Sequence, residues 1–392
     1  MKVKICYIVT VPITIRSFFI PQLKYLANNG FDVSVVCSKD ELLQQELGNA
    51  ITYHPIEMPR GISFFGSLKA VWELFCYFRE EGFDFIQYST PNAAMYASIA
   101  GWLANIKVRN YHLMGFRYLG TKGILKFILK KMEKVSCKYS THIECVSNSN
   151  LEIGIKEKVL EKEKTQVVWN GSSGGVDLKR FDYSKRLTYR EEIRSKHRLS
   201  ESDFVFGFVG RITRDKGINE LLEAFLSIED AKLLMIGEVE GASTLNQQIY
   251  NMSMENSNII YVGQIEDVER YYAALDVLVL PSYREGFGNV IIEAAAMGTP
   301  AIVSNIPGPI DAVEDGKTAF IVNVKDTMSL LKAMRKIQAI DYKRMGTQAE
   351  QFVKEKFDSN MLCKKILERK EKINADSIAE KRKFYKGKDS AL

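Results

Sequence analysis

The 392-residue sequence has no Asp-x-Asp pair, no Cys-x-x-Cys, only four histidines, and no apolar run long enough to cross a bilayer. The first absence leaves a metal held by paired aspartates without support, since hard divalent cations take carboxylate oxygens. Six cysteines stand at positions 6, 37, 76, 137, 145 and 363. No spacing pairs them, and Cys6 and Cys37 fall inside expected strands. They read as small apolar fillers in a reducing compartment, not as disulfides or thiolate ligands. His54, His112, His142 and His197 form no ligand spacing. The longest apolar stretch, residues 92–104, falls well short of the roughly 20 residues that span a membrane. The N-terminus enters a strand pattern at once, without a leader pattern.

What is present describes a soluble globular protein, with 46% hydrophobic and 26% charged residues. The length suits two domains of roughly 200 residues each. Net charge is a mild +6, but its placement is uneven: residues 101–140 hold nine Lys or Arg and a single acid, Glu133. That local asymmetry says more about partners than the total does.

Along the first half, apolar runs at 3–9, 33–37, 85–89, 108–112, 142–146 and 166–169 read as strands. Helical periodicity occupies 20–28, 64–80, 92–103, 124–138 and 150–159. Such alternation predicts a parallel sheet with helices on both faces. Near Asn170 the pattern breaks into Asn-Gly-Ser-Ser-Gly-Gly, which no regular element holds. A charged segment follows at 179–203, with a helix-forming stretch at 189–197, and alternation then resumes with strands at 204–209, 232–236, 259–262, 277–280, 301–303 and 319–322. The expected fold class is α/β, with two Rossmann-like doubly wound domains facing a cleft, because such sheets bind ligands beyond the carboxyl ends of their strands. The expected divisions are 1–175, a linker at 176–203, a second domain at 204–355, a helix at 356–375 and a basic tail at 376–392.

Two segments carry chemistry. Pro281-Ser-Tyr-Arg-Glu-Gly-Phe-Gly-Asn289 runs from a strand end through a glycine loop into an Ala-rich helix closed by Gly298 and Pro300. The glycines allow close backbone approach, and first-turn N–H groups favour an anion. Glu285 lies in the loop and Glu293 about one turn into the helix. An acid there needs a polar partner if buried, and a sugar or ribose hydroxyl would serve; an exposed Glu293 beside glycines that only shape a turn is the other reading. The second segment, Val209-Gly-Arg-Ile-Thr-Arg-Asp-Lys-Gly217, gathers Arg211, Arg214 and Lys216 before a helix. Cations at a helix N-terminus are poorly placed for its dipole. They make sense around a bound diphosphate; a solvated loop is the alternative.

Taken together, Gly210-Arg211…Lys216-Gly217 and Glu285-x7-Glu293 resemble family 4 of the retaining glycosyltransferases, which have the GT-B fold. Asn170-Gly171…Gly175-Val-Asp177…Phe181, Gly263-Gln264, Asp276, Gly298-Thr-Pro300 and Asp315-Gly316 follow in the order of that family. The opening residues 9–19 and Asn170-Gly-Ser-Ser-Gly are similar to the branch that builds bacterial capsule, exopolysaccharide and O-antigen units.

The resemblance implies a division of labour. The first domain would be the acceptor side and the second the nucleotide-sugar side, with the helix at 356–375 crossing back to the first. Arg211 and Lys216 would hold the donor diphosphate, with Gly210 beside them and the backbone of Gly286, Phe287, Gly288 and Asn289 cradling the same phosphates. Glu293 would take ribose hydroxyls, Glu285 those of the transferred sugar, and the loop at Gln264 the base. It also implies transfer of a hexose or N-acetylhexosamine from a nucleotide sugar, UDP in particular. The acceptor would be a polyprenyl-diphosphate-linked saccharide, and configuration would be retained without a metal or other cofactor.

The first domain departs from the pattern. Many relatives have a glycine pair where this chain has Val11-Pro-Ile-Thr-Ile15, and a histidine where it has Met114. His112, two residues earlier, is expected to end a strand facing the cleft, either contacting the sugar or satisfied within the fold; Arg16 and Arg117 are the other acceptor-side candidates. The stretch 121–138 has helical period, with Ile124, Ile128, Met132 and Val135 on one face and Lys122, Lys126, Lys130 and Lys134 on another. A basic amphipathic helix suits an anionic membrane surface or packs on the sheet. The expected location is therefore cytoplasmic, at the inner face of the plasma membrane, with no nucleic-acid partner. Residues 342–372 read as helical and charged. A nucleotide-sugar epimerase on the same fold, and a non-catalytic nucleotide-binding partner of a transferase, are the alternatives. A dehydrogenase is disfavoured because no Gly-x-Gly-x-x-Gly follows the first strand.

Overall fold

A computed structural model describes residues 2–59, 61 and 63–389. Contacts divide the chain into two units: residues 1–174 with 360–392, and residues 175–359. The first holds β1 (Val3–Ile8), β2 (Phe31–Cys37), β3 (Ile51–Pro55), β4 (Phe85–Tyr88), β5 (Val108–Leu113), β6 (His142–Cys145) and β7 (Thr165–Val167). These form one sheet in the order β3-β2-β1-β4-β5-β6-β7, with every pair parallel. The second holds β8 (Val205–Val209), β9 (Lys232–Ile236), β10 (Ile259–Gly263), β11 (Val277–Leu280), β12 (Ala301–Ser304) and β13 (Ala319–Val322). Its order is β10-β9-β8-β11-β12-β13, again parallel throughout.

Central strands such as β8 and β11 are buried at every residue. Helices cover both faces of these sheets, so their strands carry unbroken apolar runs instead of alternating ones. In each sheet the chain order reverses once, between β1 and β4 and between β8 and β11. Open α/β sheets bind ligands beyond the carboxyl ends of the strands at such switch points.

Three segments add to the expected pattern. The strand β3 was not anticipated: in Ile-Thr-Tyr-His-Pro only Ile51 is buried, the polar pattern of a sheet edge. The helix-forming stretch at 189–197, in the segment expected as a linker, is the helix Arg186–Lys196, and it lies within the second unit. The helical region at 342–372 forms two helices, Tyr342–Lys356 and Ser359–Asp389. The second of these continues through the segment read as a tail from 376. The tail's residues 390–392, and its side chains from 380 onward, lie outside the described residues.

The Ser359–Asp389 helix belongs to the first unit, where Leu362, Ile366 and Ile373 are buried. Lys370 is buried with them and donates to Gln87 of β4 at 2.5 Å and to Glu144 of β6 at 3.1 Å. Asn110 of β5 donates to the same two side chains at 3.0 and 2.9 Å. Burial alone would raise the Glu144 carboxyl, but Lys370 and Asn110 hold it below its usual range. Burial lowers the Lys370 ammonium, against the pull of Glu144. An ion pair this deep stabilises only while both partners are present.

Candidate functional site

Both chemistry-bearing segments emerge at the switch point of the second sheet. Residues 210–217 leave the end of β8, and residues 281–288 leave the end of β11, its neighbour. The two loops are in backbone contact. Gly217 has φ +73°, and a Cβ there would fall on the Pro281 carbonyl. Gly308, at φ +100°, packs as closely against the other side, since a Cβ on it would lie 2.6 Å from the Gly286 carbonyl oxygen. A side chain at either position would push the loops apart.

The Lys216 ammonium donates to Glu285 Oε1 at 2.5 Å, and the Ser282 hydroxyl donates to the same oxygen at 2.8 Å. The two charged side chains are 18% and 14% exposed. Arg211 pairs with Glu240 at 2.8 Å, but these side chains are 55% and 45% exposed. An exposed pair contributes about 0–1 kcal/mol, so this guanidinium can exchange its carboxylate for a phosphate at little cost. Arg214 is exposed. Asp215 accepts from Thr213 Oγ1 at 2.6 Å and from Arg284 at 2.9 Å, which ties the two loops together again.

The helix Asn289–Ala296 begins at Gly288, and no side chain caps its N-terminus. Phe287 is buried, its ring edge-on to Phe357 at 5.3 Å, and so anchors the loop. Glu293 is not the exposed helix residue of the bland reading. Tyr272, fully buried, donates to its Oε2 at 3.0 Å. Desolvation raises the Glu293 carboxyl, while the Tyr272 hydroxyl and the Arg180 charge lower it in part. Gln264 is exposed just past β10. Sequence reasoning missed Tyr272 and Gly308, whose partners are remote in sequence, and Ser282, which stands three residues from Glu285 within the same loop.

The first unit places its candidates differently. Arg16 is held by Asp40 through two bonds, at 2.9 and 2.7 Å, and by Glu46 at 2.6 Å. Those partners raise its guanidinium further, and Arg16 in turn holds the Asp40 carboxyl down to about 2, so Arg16 closes the fold locally instead of presenting a free charge. Arg117 is exposed on the turn Arg117–Gly120. His112, expected either to contact the sugar or to be satisfied within the fold, is an interior side chain. It is buried in β5, edge-on to Phe19 at 5.5 Å. Desolvation lowers its imidazole to about 4, Glu144 opposing and Lys370 assisting, so it is neutral at pH 7. With Gln22, Gln87, Glu144 and Ser172 it lines an internal cavity of about 10 Å³, room for one water.

The basic stretch is the helix Gly123–Tyr139, but its faces differ from the expected ones. Leu129, Glu133, Ser136 and Cys137 are buried, while Ile124 is exposed and Lys126, Lys130 and Lys134 are half-buried. Among the described residues no helix is long and apolar enough to cross a membrane. Nor does any group of three or more His, Cys, Asp or Glu stand in position to hold a metal ion.

With this geometry in place, the comparisons with known proteins become specific. The description "Glycosyltransferase Family 4" matches residues 22–174, and "Glycosyl transferases group 1" matches residues 189–352. The capsular polysaccharide biosynthesis glycosyltransferase CapM of Staphylococcus aureus is 32% identical over 351 residues, covering 88% of this chain and 91% of CapM. The Escherichia coli UDP-Gal:alpha-D-GlcNAc-diphosphoundecaprenol alpha-1,3-galactosyltransferase is 26% identical, covering 86% and 88%. Among solved structures, sucrose-phosphate synthase from Thermosynechococcus elongatus superposes with a TM-score of 0.78 at 20% identity, covering 95% of this chain and all of that one. The two parallel-sheet units have the GT-B fold. The chain belongs to glycosyltransferase family 4.

Proposed function

We propose that this glycosyltransferase moves a hexose or N-acetylhexosamine from a UDP-sugar to a polyprenyl-diphosphate-linked saccharide, in the synthesis of a surface polysaccharide. The observation that carries the reading is the convergence of Arg211, Lys216, Glu285 and an uncapped helix N-terminus at one sheet switch point. The names of the S. aureus and E. coli relatives support a capsular product, a UDP donor and a lipid-diphosphate acceptor. The reaction then belongs at the cytoplasmic face of the membrane.

The diphosphate displaces Glu240 from Arg211 and Glu285 from Lys216, and its oxygens face the N-terminus of Asn289–Ala296. These fixed positive groups act where charge develops as the donor C1–O bond breaks. They take the part that a divalent cation plays elsewhere, so the reading requires no metal. Glu285, released, accepts from hydroxyls of the transferred sugar, and Glu293, oriented by Tyr272, accepts from the ribose. The acceptor oxygen attacks C1 on the face the diphosphate leaves, so configuration is retained. The acceptor proton passes to the departing phosphate oxygen, giving the lengthened saccharide and nucleoside diphosphate.

The test is a panel of sugar nucleotides assayed for nucleoside diphosphate release, with and without short-chain polyprenyl-diphosphate sugars and with a metal chelator. Acceptor-dependent UDP release that survives the chelator, with an α-linked product from an α-linked donor, is the expected result. Release of an epimerised sugar nucleotide without acceptor overturns it.

A further inference from the structure

The second unit has a further pocket, at the edge of its sheet opposite the loops described above. Its volume is about 550 Å³, within the range of small-molecule sites. Asp276, just before β11, and Gly298, just before β12, line it with residues of the helices Arg186–Lys196 and Tyr342–Lys356. β11 and β12 are four residues long. The pocket therefore stands about 13 Å, one strand length, from the edge where residues 281–288 emerge.

Its charge is one-sided. Arg186, Arg190 and Arg194 recur at every fourth residue and share one face of their helix. Asp276 answers two of them, accepting from Arg190 at 3.0 Å and from Arg194 at 2.8 Å, and it also accepts from the Val205 N–H at 2.8 Å. Glu201 accepts from Arg190 at 3.0 Å but is 68% exposed. Among the described residues neither Arg186 nor Lys343, on the pocket's rim, has a carboxylate partner. Burial, with the neighbouring Arg190 charge, lowers the Arg186 guanidinium to about 10, so it is still a cation at pH 7.

Flat and apolar surfaces lie beside these cations. The Tyr183 ring lies against Gly298, where a Cβ would strike it. Leu187 is 77% exposed, and Tyr342 adds a second ring. A ring carrying a phosphate suits such a lining: guanidinium and ammonium groups take the phosphate oxygens, and a tyrosine takes the ring face. Inorganic phosphate alone would leave most of the volume empty.

One helix joins the pocket to the donor loops. Asn289–Ala296 starts at Gly288 and is followed by Met297, whose carbonyl accepts from Arg186. A cation there suits the negative end of the helix dipole. Arg186 also donates to Thr299 Oγ1 at 2.9 Å, and Thr299 donates to the Tyr272 carbonyl at 2.7 Å. Tyr272 in turn orients Glu293.

We propose that this pocket binds a phosphorylated ring, a sugar phosphate or a nucleotide, through Arg186 and Lys343, and that its occupant weakens donor binding at the other end of the helix. An anion at one end of an eight-residue helix, about 12 Å away, disfavours a diphosphate at the other. It also draws Arg186 from Met297 and Thr299, loosening the support of Tyr272 and Glu293. The effect on the donor rests on the donor site proposed above; binding in the pocket does not.

Titration calorimetry on the full chain carrying Lys216→Ala, which disables the donor site, uses glucose 6-phosphate, adenosine monophosphate and inorganic phosphate as probes. At least one ester should saturate the protein, and which one does so separates sugar phosphate from nucleotide. Added Lys343→Gln should weaken that ester about tenfold and added Arg186→Gln more. Lys343 is on the rim, so its variant keeps the test valid if Arg186→Gln melts early. With Lys216 restored, the ester should raise the Kd of a UDP-sugar about fivefold, and the UDP-sugar should raise that of the ester equally. No saturable binding of either ester, or binding indifferent to both variants, overturns the site. Inorganic phosphate binding as tightly as the esters overturns the ring. Equal UDP-sugar affinity with and without ester overturns the coupling. If the ester binds and no UDP-sugar does, the pocket stands, and the donor reading falls together with the coupling.

Discussion

The two units are built alike and use their charges in opposite ways. In the second, cations and acids stand on loops at the sheet's switch point, half-exposed and held by partners that a ligand can displace. In the first, the densest polar group, made of Gln87, Asn110, Glu144 and Lys370, is sealed inside the sheet and a returning helix. One arrangement is poised to exchange partners; the other fixes strands and helix in a single register. The same residue types thus serve turnover or stability according to whether water reaches them, because desolvation sets how much an unpaired charge costs.

The contrast can be broken at four points. The largest effect should come from Lys370→Met, which leaves Glu144 buried without its cation. It should destabilise the first unit by about 3–5 kcal/mol, read as a lower urea midpoint, and Glu144→Gln added to it should recover much of the loss. Lys216→Ala should do the reverse, reducing turnover about 10²–10³-fold while thermal melting stays near the parent's. Full activity in that variant would remove Lys216 from the site.

Next comes pH. Glu133 is raised to about 7, by burial chiefly, with Tyr111 opposing. Its native state holds a proton that the unfolded chain gives up near 4.5. The stability this contributes is complete below pH 4.5 and is lost as pH rises through 7. Glu133→Gln should erase that decline, on the order of 3 kcal/mol, in denaturant midpoints measured at pH 4.5 and 8. His112, lowered to about 4, acts with the opposite sign: its contribution is present above pH 6.5 and lost as pH falls toward 4. The smallest effect belongs to Glu240→Gln, within about 0–1 kcal/mol on stability. Under the proposed mechanism it tightens donor binding, because Arg211 loses its competitor; weaker binding of a UDP-sugar in calorimetry would argue against the exchange.

Legibility in sequence followed the same divide. Strands buried on both faces, such as β8, β11 and β12, announce themselves as apolar runs, and the loops at 210–217 and 281–288 are contiguous segments whose residue types declare an anion site. What was hidden depends on contacts across the chain. Nothing local marks Tyr272 as the partner of Glu293, or Lys370 as the partner of Glu144, 226 residues away. Periodicity also misassigned the Gly123–Tyr139 helix. Apolar spacing put Ile124 on the packed face, but the buried face carries Leu129 and the small Ser136 and Cys137, and Glu133 goes in with them. The strand β3 escaped because an edge strand needs only one buried face.

The Lys370 contact has a consequence for the order in which the protein is made. The second unit is continuous in the chain, so every strand it needs has been synthesised by residue 359. The first unit, though begun earlier, lacks the cation for Glu144 and the apolar cover of Leu362, Ile366 and Ile373 until the final helix leaves the ribosome. The half translated first is therefore the half completed last. Until then its sheet carries an uncompensated carboxylate in its interior, and this is the interval in which a chaperone has most to shield.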